Sequence, residues 1–203
     1  MTASDRKVVD VAFDVTGTSL PADNAWLLAQ AIERRLPWLA GEALAGIHPL
    51  RAAATGYGVV LLAQRAKLVL RLPADRLEAS LALAGAELDI AECRLAVGAG
   101  RARALQPSAT LAAQRVATAA GDAQAFEGEM RGLLEDLAVA CDLISGRPRH
   151  GVAGARAIAG FALTLHGVSA ADSVRIQGLG IGGDRRLGWG LFVPAKSMAA
   201  VRL

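Results

Sequence analysis

The amino-acid sequence predicts an α+β protein made of two tandem ferredoxin-like (RRM-like) domains, each running β-α-β-β-α-β. Three observations predict it. Short apolar runs, often alternating with polar residues, recur along the chain as strands do. Between them lie a few segments with apolar residues every three or four positions, the spacing of a helix face. The order of these segments then repeats after Gln106-Pro107-Ser108, which divides 203 residues into two lengths of about 100, each ordinary for a small domain.

The first domain is expected over residues 1–105. Lys7 to Val15 alternates and reads as a strand, broken by Thr16-Gly17-Thr18-Ser19. Pro21 is placed to open a helix whose Leu28, Ile32 and Leu36 share a face, and Pro37 ends it. Gly41 to Thr55 is expected as a loop, followed by strands over Tyr57 to Ala63 and Lys67 to Leu72. Pro73 opens a second helix to Leu83, and β-like runs return over Glu87 to Val97 and Arg101 to Leu105.

The second domain is expected over residues 106–203. Leu111 to Thr118 reads as a strand, and Asp122 precedes a helix with Phe126, Met130, Leu133, Leu134 and Leu137 on one side. Cys141 to Ser145 and Ala157 to Leu165 are strand candidates. Ser169 and Asp172 form a capping signal for a fourth helix. A glycine-rich stretch follows, "GLGIGGDRRLGWGLFVP" (Gly178 to Pro194), and Leu191 to Val193 is expected as the last strand.

Composition excludes several classes. With 53% hydrophobic and 20% charged residues the chain can bury a core and is not of disordered type. No apolar run approaches the roughly 18 residues of a spanning helix, and the opening MTASDRKVVD is polar where a signal peptide is apolar. A cytoplasmic protein without membrane contact is expected. Cys93 and Cys141 stand apart with no nearby histidine, so neither a zinc site nor a disulfide is expected. Charge is uneven. Met1 to Gly146 holds 14 Lys/Arg against 17 Asp/Glu, whereas Arg147 to Leu203 holds 8 against 2. Positive charge collected in the last quarter suits a polyanion.

Gly178-x-Gly180-x-x-Gly183 fits a dinucleotide fingerprint only on paper, because that motif needs a strand before it and a helix after it. The predicted order here is the reverse, and no Lys-Ser/Thr follows, so a P-loop is excluded too. Two readings of the stretch stay open: a structural turn, or a loop whose backbone and arginines meet phosphates. The three histidines are His48, His150 and His166. His48 lies in a Gly-Ile-His-Pro loop, within reach of a substrate; His166 ends a strand and His150 sits in a basic loop. No nucleophile elbow or HExxH is present, which leaves metal-free acid–base catalysis by one histidine as the chemistry this inventory suits.

Four blocks, "VTGTSLPADNAWLL" (Val15 to Leu28), "GIHPLR" (Gly46 to Arg51), "KLVLRLPADRL" (Lys67 to Leu77) and "LTLHGVSAADSVRIQGLGIGGDRRLGWGLFVPAKS" (Leu163 to Ser197), carry a resemblance. With tandem ferredoxin-like units and a glycine-rich loop before the last strand, the chain resembles the RAMP proteins of CRISPR systems. Among them it is similar to the repeat-RNA-processing endoribonucleases of the type I myxobacterial subtype. The resemblance implies cleavage of CRISPR repeat RNA in a precursor transcript. A ribose 2′-hydroxyl attacks the adjacent phosphate, leaving a 2′,3′-cyclic phosphate and a 5′-hydroxyl, with no metal or cofactor. It implies His48 as general acid or base, with Arg51 stabilising phosphate charge and Tyr57 assisting. Relatives with a lysine beside the catalytic histidine differ, since none is local to His48 here. RNA binding is expected from Arg147, Arg149, Gly180, Gly182, Gly183, Arg185, Arg186 and Lys196. The implied partners are precursor and mature guide RNA and the other proteins of a type I interference complex. Two rivals stand beside this reading: a non-catalytic RNA-binding RAMP subunit of an effector complex, and a small-molecule sensor of the same fold.

Overall fold

The computed structural model describes residues 6–55 and 58–195. It divides into two compact units. One takes the chain up to Ala104 together with Gly151–Ala157 and Arg185–Gly188; the other takes Leu105–His150, Ile158–Asp184 and the chain from Trp189 on.

The first unit contains, in order, β1 (Val8–Thr16), β2 (Ser19–Pro21), α1 (Ala25–Arg35), β3 (Gly46–Ile47), β4 (Ala52–Ala54), β5 (Val59–Leu62), β6 (Lys67–Pro73), α2 (Leu77–Leu81), β7 (Glu87–Ile90) and β8 (Cys93–Ala104). Five of the strands form one sheet in the order β3-β6-β1-β8-β7, all neighbours antiparallel. Omitting the edge strand β7, this is the ferredoxin-like arrangement, with β1 central and the second strand outermost. Strand alternation assigns the two faces. Val9, Val11 and Phe13 of β1 lie opposite Leu72, Leu70 and Leu68 of β6, and all six are buried. Burying side chains of this size contributes about 1.5–3 kcal/mol each. On the other face Asp10 lies opposite Arg71, and Asp14 is ion-paired with Lys67.

α1 begins four residues later than the sequence predicts. Pro21 lies in β2, paired with Val59 of β5, and Asn24 then precedes the first helical turn, its Nδ2 donating to the Pro21 carbonyl. Leu28, Ile32 and Leu36 are buried, as their spacing demands. The helix ends at Leu36 because Pro37 disfavours helical backbone in the residue before it, and a 3-10 turn, Pro37–Gly41, follows.

One expectation is corrected. The strand expected over Tyr57 to Ala63 is not a member of the main sheet. Val59–Leu62 belongs to a separate three-stranded sheet, β2-β5-β4, and Tyr57 lies outside the described residues. The second strand of the main sheet is Gly46–Ile47, inside the segment expected as a loop. Two residues are too few to show a period of two.

The second unit runs β9 (Thr110–Ala117), α3 (Ala123–Asp136), β10 (Asp142–Ala153), β11 (Arg156–His166), α4 (Ala170–Leu179) and β12 (Val193–Pro194), and the far end of the β10–β11 hairpin falls in the first unit's share of the chain. Its sheet order, β10-β11-β9-β12, repeats the ferredoxin-like pattern. Asp122 caps α3 by accepting from the Ala125 N–H at 2.8 Å, and Ser169 caps α4 by accepting from the Asp172 N–H at 3.1 Å. Phe126, Met130 and Leu134 of α3 are buried, and the Phe126 ring stacks on Phe161 of β11 with centroids 5.0 Å apart.

The glycine-rich stretch closes this unit. Gly190 has φ +65°, its N–H donates to the Arg115 carbonyl of β9, and a Cβ there would lie 2.3 Å from the Ile181 carbonyl oxygen. Only glycine fits. The loop thereby seats Trp189, fully buried, with the Arg115 guanidinium 5.4 Å from its ring centroid. Among the described residues no helix is long and apolar enough to cross a membrane.

Candidate active site

His48 stands directly after β3. Its backbone N–H donates to the Val69 carbonyl of β6 at 2.9 Å, which extends the strand ladder by one bond, and Pro49 keeps its backbone extended. The approach to it is pinned from the other side. Arg6 reaches both Glu42 and Asp75 at 2.9–3.0 Å, and Glu42 in turn accepts from the Leu44 N–H. The imidazole is therefore carried on the sheet edge rather than on a free loop.

Two charged residues of the sheet meet it. In the ladder Arg71 of β6 lies between Gly46 of β3 and Asp10 of β1. Its guanidinium grips Asp10 as a fork, Nε to Oδ1 at 2.7 Å and Nη2 to Oδ2 at 2.9 Å. Arg71 is 1% exposed, so this pairing is what makes its burial tolerable. Asp10 Oδ1 also faces His48 Nε2 at 3.7 Å, beyond hydrogen-bond length. Nε2 is itself buried and has no hydrogen-bond partner.

A second cation comes from the 3-10 turn Arg185–Leu187. Arg185 is 8% exposed and donates from Nη2 to the Leu44 carbonyl at 3.1 Å, while Arg186 pairs with Glu33 of α1. Burial lowers the His48 pKa from its usual 6.5; Asp10 opposes this, and Arg71 and Arg185 add to it. For Asp10 burial pushes upward, but His48 and Arg71 outweigh it and hold the carboxyl well below the usual carboxylate range. Burial, with Arg71 nearby, brings the Arg185 guanidinium down to about 10. The resting site thus holds a neutral imidazole between one carboxylate and two guanidinium groups. Beside it Ile47, Pro49, Asn24, Leu28 and Leu187 line a recess with room for about one water.

The other residues singled out from the sequence fall as follows. Arg51 is exposed, three residues past His48. Tyr57 and Lys196 lie outside the described residues. Arg147 and Arg149 are exposed on β10, with Arg149 Nε donating to the Gln114 carbonyl at 3.1 Å. Gly180 ends α4 at φ +70°, Gly182 is exposed at φ +81°, and Gly183 is exposed. Arg185, expected at an RNA surface, is turned inward beside His48 instead. Of the other two histidines, His150 is exposed and His166 Nδ1 lies 3.2 Å from Thr110 Oγ1. Asp10 and Arg71 escaped sequence reading. The available signal was a single charge inside each apolar run, "VVDVAF" and "LVLRLP", of opposite sign. Among the described residues no three His, Cys, Asp or Glu side chains gather in a way that could hold a metal ion.

A family model described as Cas6 Crispr matches residues 9–197. The chain belongs to the Cas6 family. It is 38% identical over 195 residues to the CRISPR-associated endonuclease Cas6 of Myxococcus xanthus (strain DK1622), covering 96% of this chain and 84% of that one. Among solved structures, a CRISPR associated protein Cas6 superposes with a TM-score of 0.67 at 11% identity, over 94% of this chain and all of that one. A RAMP protein described as binding different RNA substrates gives 0.66 at 12%, over 93% of this chain and all of that one. At these identities the two structures show the shared Cas6 and RAMP fold, the tandem ferredoxin-like arrangement.

Proposed function

We propose that this chain is a metal-independent endoribonuclease that cuts CRISPR repeat RNA in the precursor transcript to release guide RNAs. The observation that carries the proposal is the His48 imidazole, 15% exposed with its Nε2 buried, set between Asp10 and the guanidinium groups of Arg71 and Arg185; burial, with those two cations, keeps its pKa below the usual value. Family membership supplies the substrate class. In the reaction the 2′-oxygen bonds to phosphorus, the P–O5′ bond breaks, one proton leaves O2′ and one reaches O5′. The products are a 2′,3′-cyclic phosphate and a 5′-hydroxyl. A histidine neutral near pH 7 is in the form that takes the first proton, so His48 acts as general base. Arg51, exposed and three residues past His48, stabilises charge on the phosphorane, and Tyr57 assists at O5′. Arg147, Arg149, Arg186, Lys196, Gly180 and the exposed backbone of Gly182 and Gly183 contact the RNA, with Arg185 acting from beside His48. Precursor RNA is the substrate. Guide RNA is the product handed to the proteins of a type I interference complex.

The test is cleavage of repeat RNA in EDTA by the wild type and His48→Ala, with RNA binding measured beside it. The expected result is a single cut with a 2′,3′-cyclic end, slowed about 10²–10⁴-fold by the substitution while binding persists. A variant that cuts as well as the wild type removes His48 from the chemistry. Binding without cutting by the wild type returns the chain to the second reading, a non-catalytic RNA-binding subunit.

A further inference from the structure

Asp10 has no step of its own in the proposed cleavage, yet the sheet holds it in one orientation. It lies mid-strand in β1, flanked in register by Arg71 of β6 and Arg103 of β8. The two bonds from Arg71 fix both oxygens and so fix the plane of the carboxylate. Oδ1 keeps a further lone pair on the side of His48.

His48 Nε2 is buried, without a hydrogen-bond partner, and 3.7 Å from that oxygen. A bare Nε2 lone pair set against a carboxylate oxygen is repulsive, whereas an N–H there is attracted and needs only a slight turn of the ring to bond. For a buried nitrogen with no hydrogen-bond partner among the described residues, that leaves one favourable choice. We infer that Asp10, clamped by Arg71, is a positioning residue that holds His48 as its Nε2–H tautomer and so makes Nδ1 the nitrogen that exchanges a proton with RNA. The assignment of Nδ1 to RNA rests on the catalytic reading of His48; the tautomer does not.

Burial first, and the clamp after it, explain why a carboxylate beside a histidine does not turn it into an imidazolium. Asp10 is paired with Arg71, and Arg185 of the 3-10 turn adds a second positive charge. Arg186, the remaining cation at the recess, is paired with Glu33 of α1. In β3 and the turn after it, Gly46, Ile47, Pro49 and Leu50 do not titrate, and Arg51, three residues past His48, is exposed. Asp10 therefore directs the ring without making it strongly basic.

The first measurement needs no variant. A ¹⁵N spectrum of the imidazoles in the full-length protein, with His48 assigned by its loss in His48→Gln, reads the tautomer directly. Nε2–H with a bare Nδ1 is expected, and the reverse overturns the inference. Asp10→Asn is then expected to erase the tautomer preference and slow cleavage about 10–100-fold. It should also move the His48 limb of the single-turnover pH profile to lower pH, because Arg71 and Arg185 are left without their anion. A change in melting temperature with the tautomer and the limb both unmoved reduces Asp10 to a structural residue and overturns the inference. Arg71→Lys keeps the charge and loses the fork; slower cleavage with the limb in place is expected, and wild-type cleavage overturns the clamp. If Asp10→Asn alters the tautomer but His48→Ala still cuts, the assignment of Nδ1 to RNA falls with the catalytic reading, while the clamp stands.

Discussion

At the scale of single residues, His48 links acidity to stability. Its folded pKa lies below 6.5, so just below that pH the unfolded chain binds more protons than the folded one. Folding stability is therefore level above about pH 6.5 and falls as pH drops from there toward the folded value. Asp10 works in a lower window. Its carboxyl is depressed, so its contribution is complete above the unfolded value near 4 and is lost as pH falls further. Thermal melts from pH 8 to 4 should show the first decline in the wild type and lose it in His48→Gln. A His48→Gln protein that keeps the decline above pH 5 would assign it to another group. His48 was legible from the sequence because histidine is scarce and this one precedes a proline next to a strand. Asp10 and Arg71 were not, because a lone charge in a strand reads equally well as the solvent face. Only the β1–β6 register sets the two side by side.

At the scale of elements, the most consequential one is the shortest. β3 is two residues long, and its single contribution is to end where His48 begins. A strand that short leaves no periodic trace, so the sequence favoured the longer apolar run at Val59–Leu62, which belongs to the smaller sheet. Helices fared better. Leu28, Ile32 and Leu36 in one unit and Phe126, Met130 and Leu134 in the other are buried at the spacing that announced them, though Leu133, expected on the same face, is exposed; the predicted cap on α4 is made, and Asp122 caps α3. Ser169→Ala should cost about 1 kcal/mol, read by chemical denaturation. The glycine-rich stretch could not be resolved from composition alone, since glycine serves a tight turn and a phosphate contact equally well. Gly190→Ala should cost more than the cap, about 1–3 kcal/mol, because the added Cβ meets the Ile181 carbonyl and φ is +65°. A melting temperature within a degree of the wild type would show that the loop yields at that point.

At the scale of the whole molecule, charge was read correctly as a total and incompletely as a map. The last quarter of the sequence carries the excess of Lys and Arg, yet its arginines do different things. Arg147 and Arg149 are exposed, Arg186 is paired with Glu33, and Arg185 is buried. Exposed cations that meet phosphates make binding depend on salt. Arg147→Ala with Arg149→Ala should weaken repeat-RNA binding and reduce the slope of log K against log salt by about 1–2, leaving the cut position unchanged. A slope equal to that of the wild type would place the RNA elsewhere.

The unit that carries His48 is assembled from three stretches of chain, the last of them Arg185–Gly188. During synthesis His48, Asp10 and Arg71 leave the ribosome early, but the turn that brings Arg185 to the Leu44 carbonyl is made more than a hundred residues later. A nascent chain that stops short of Arg185 carries the histidine and its carboxylate without the buried cation beside them. The surroundings of His48 thus mature only after Arg185 has been made, and a fragment ending at Ala104 does not reproduce them.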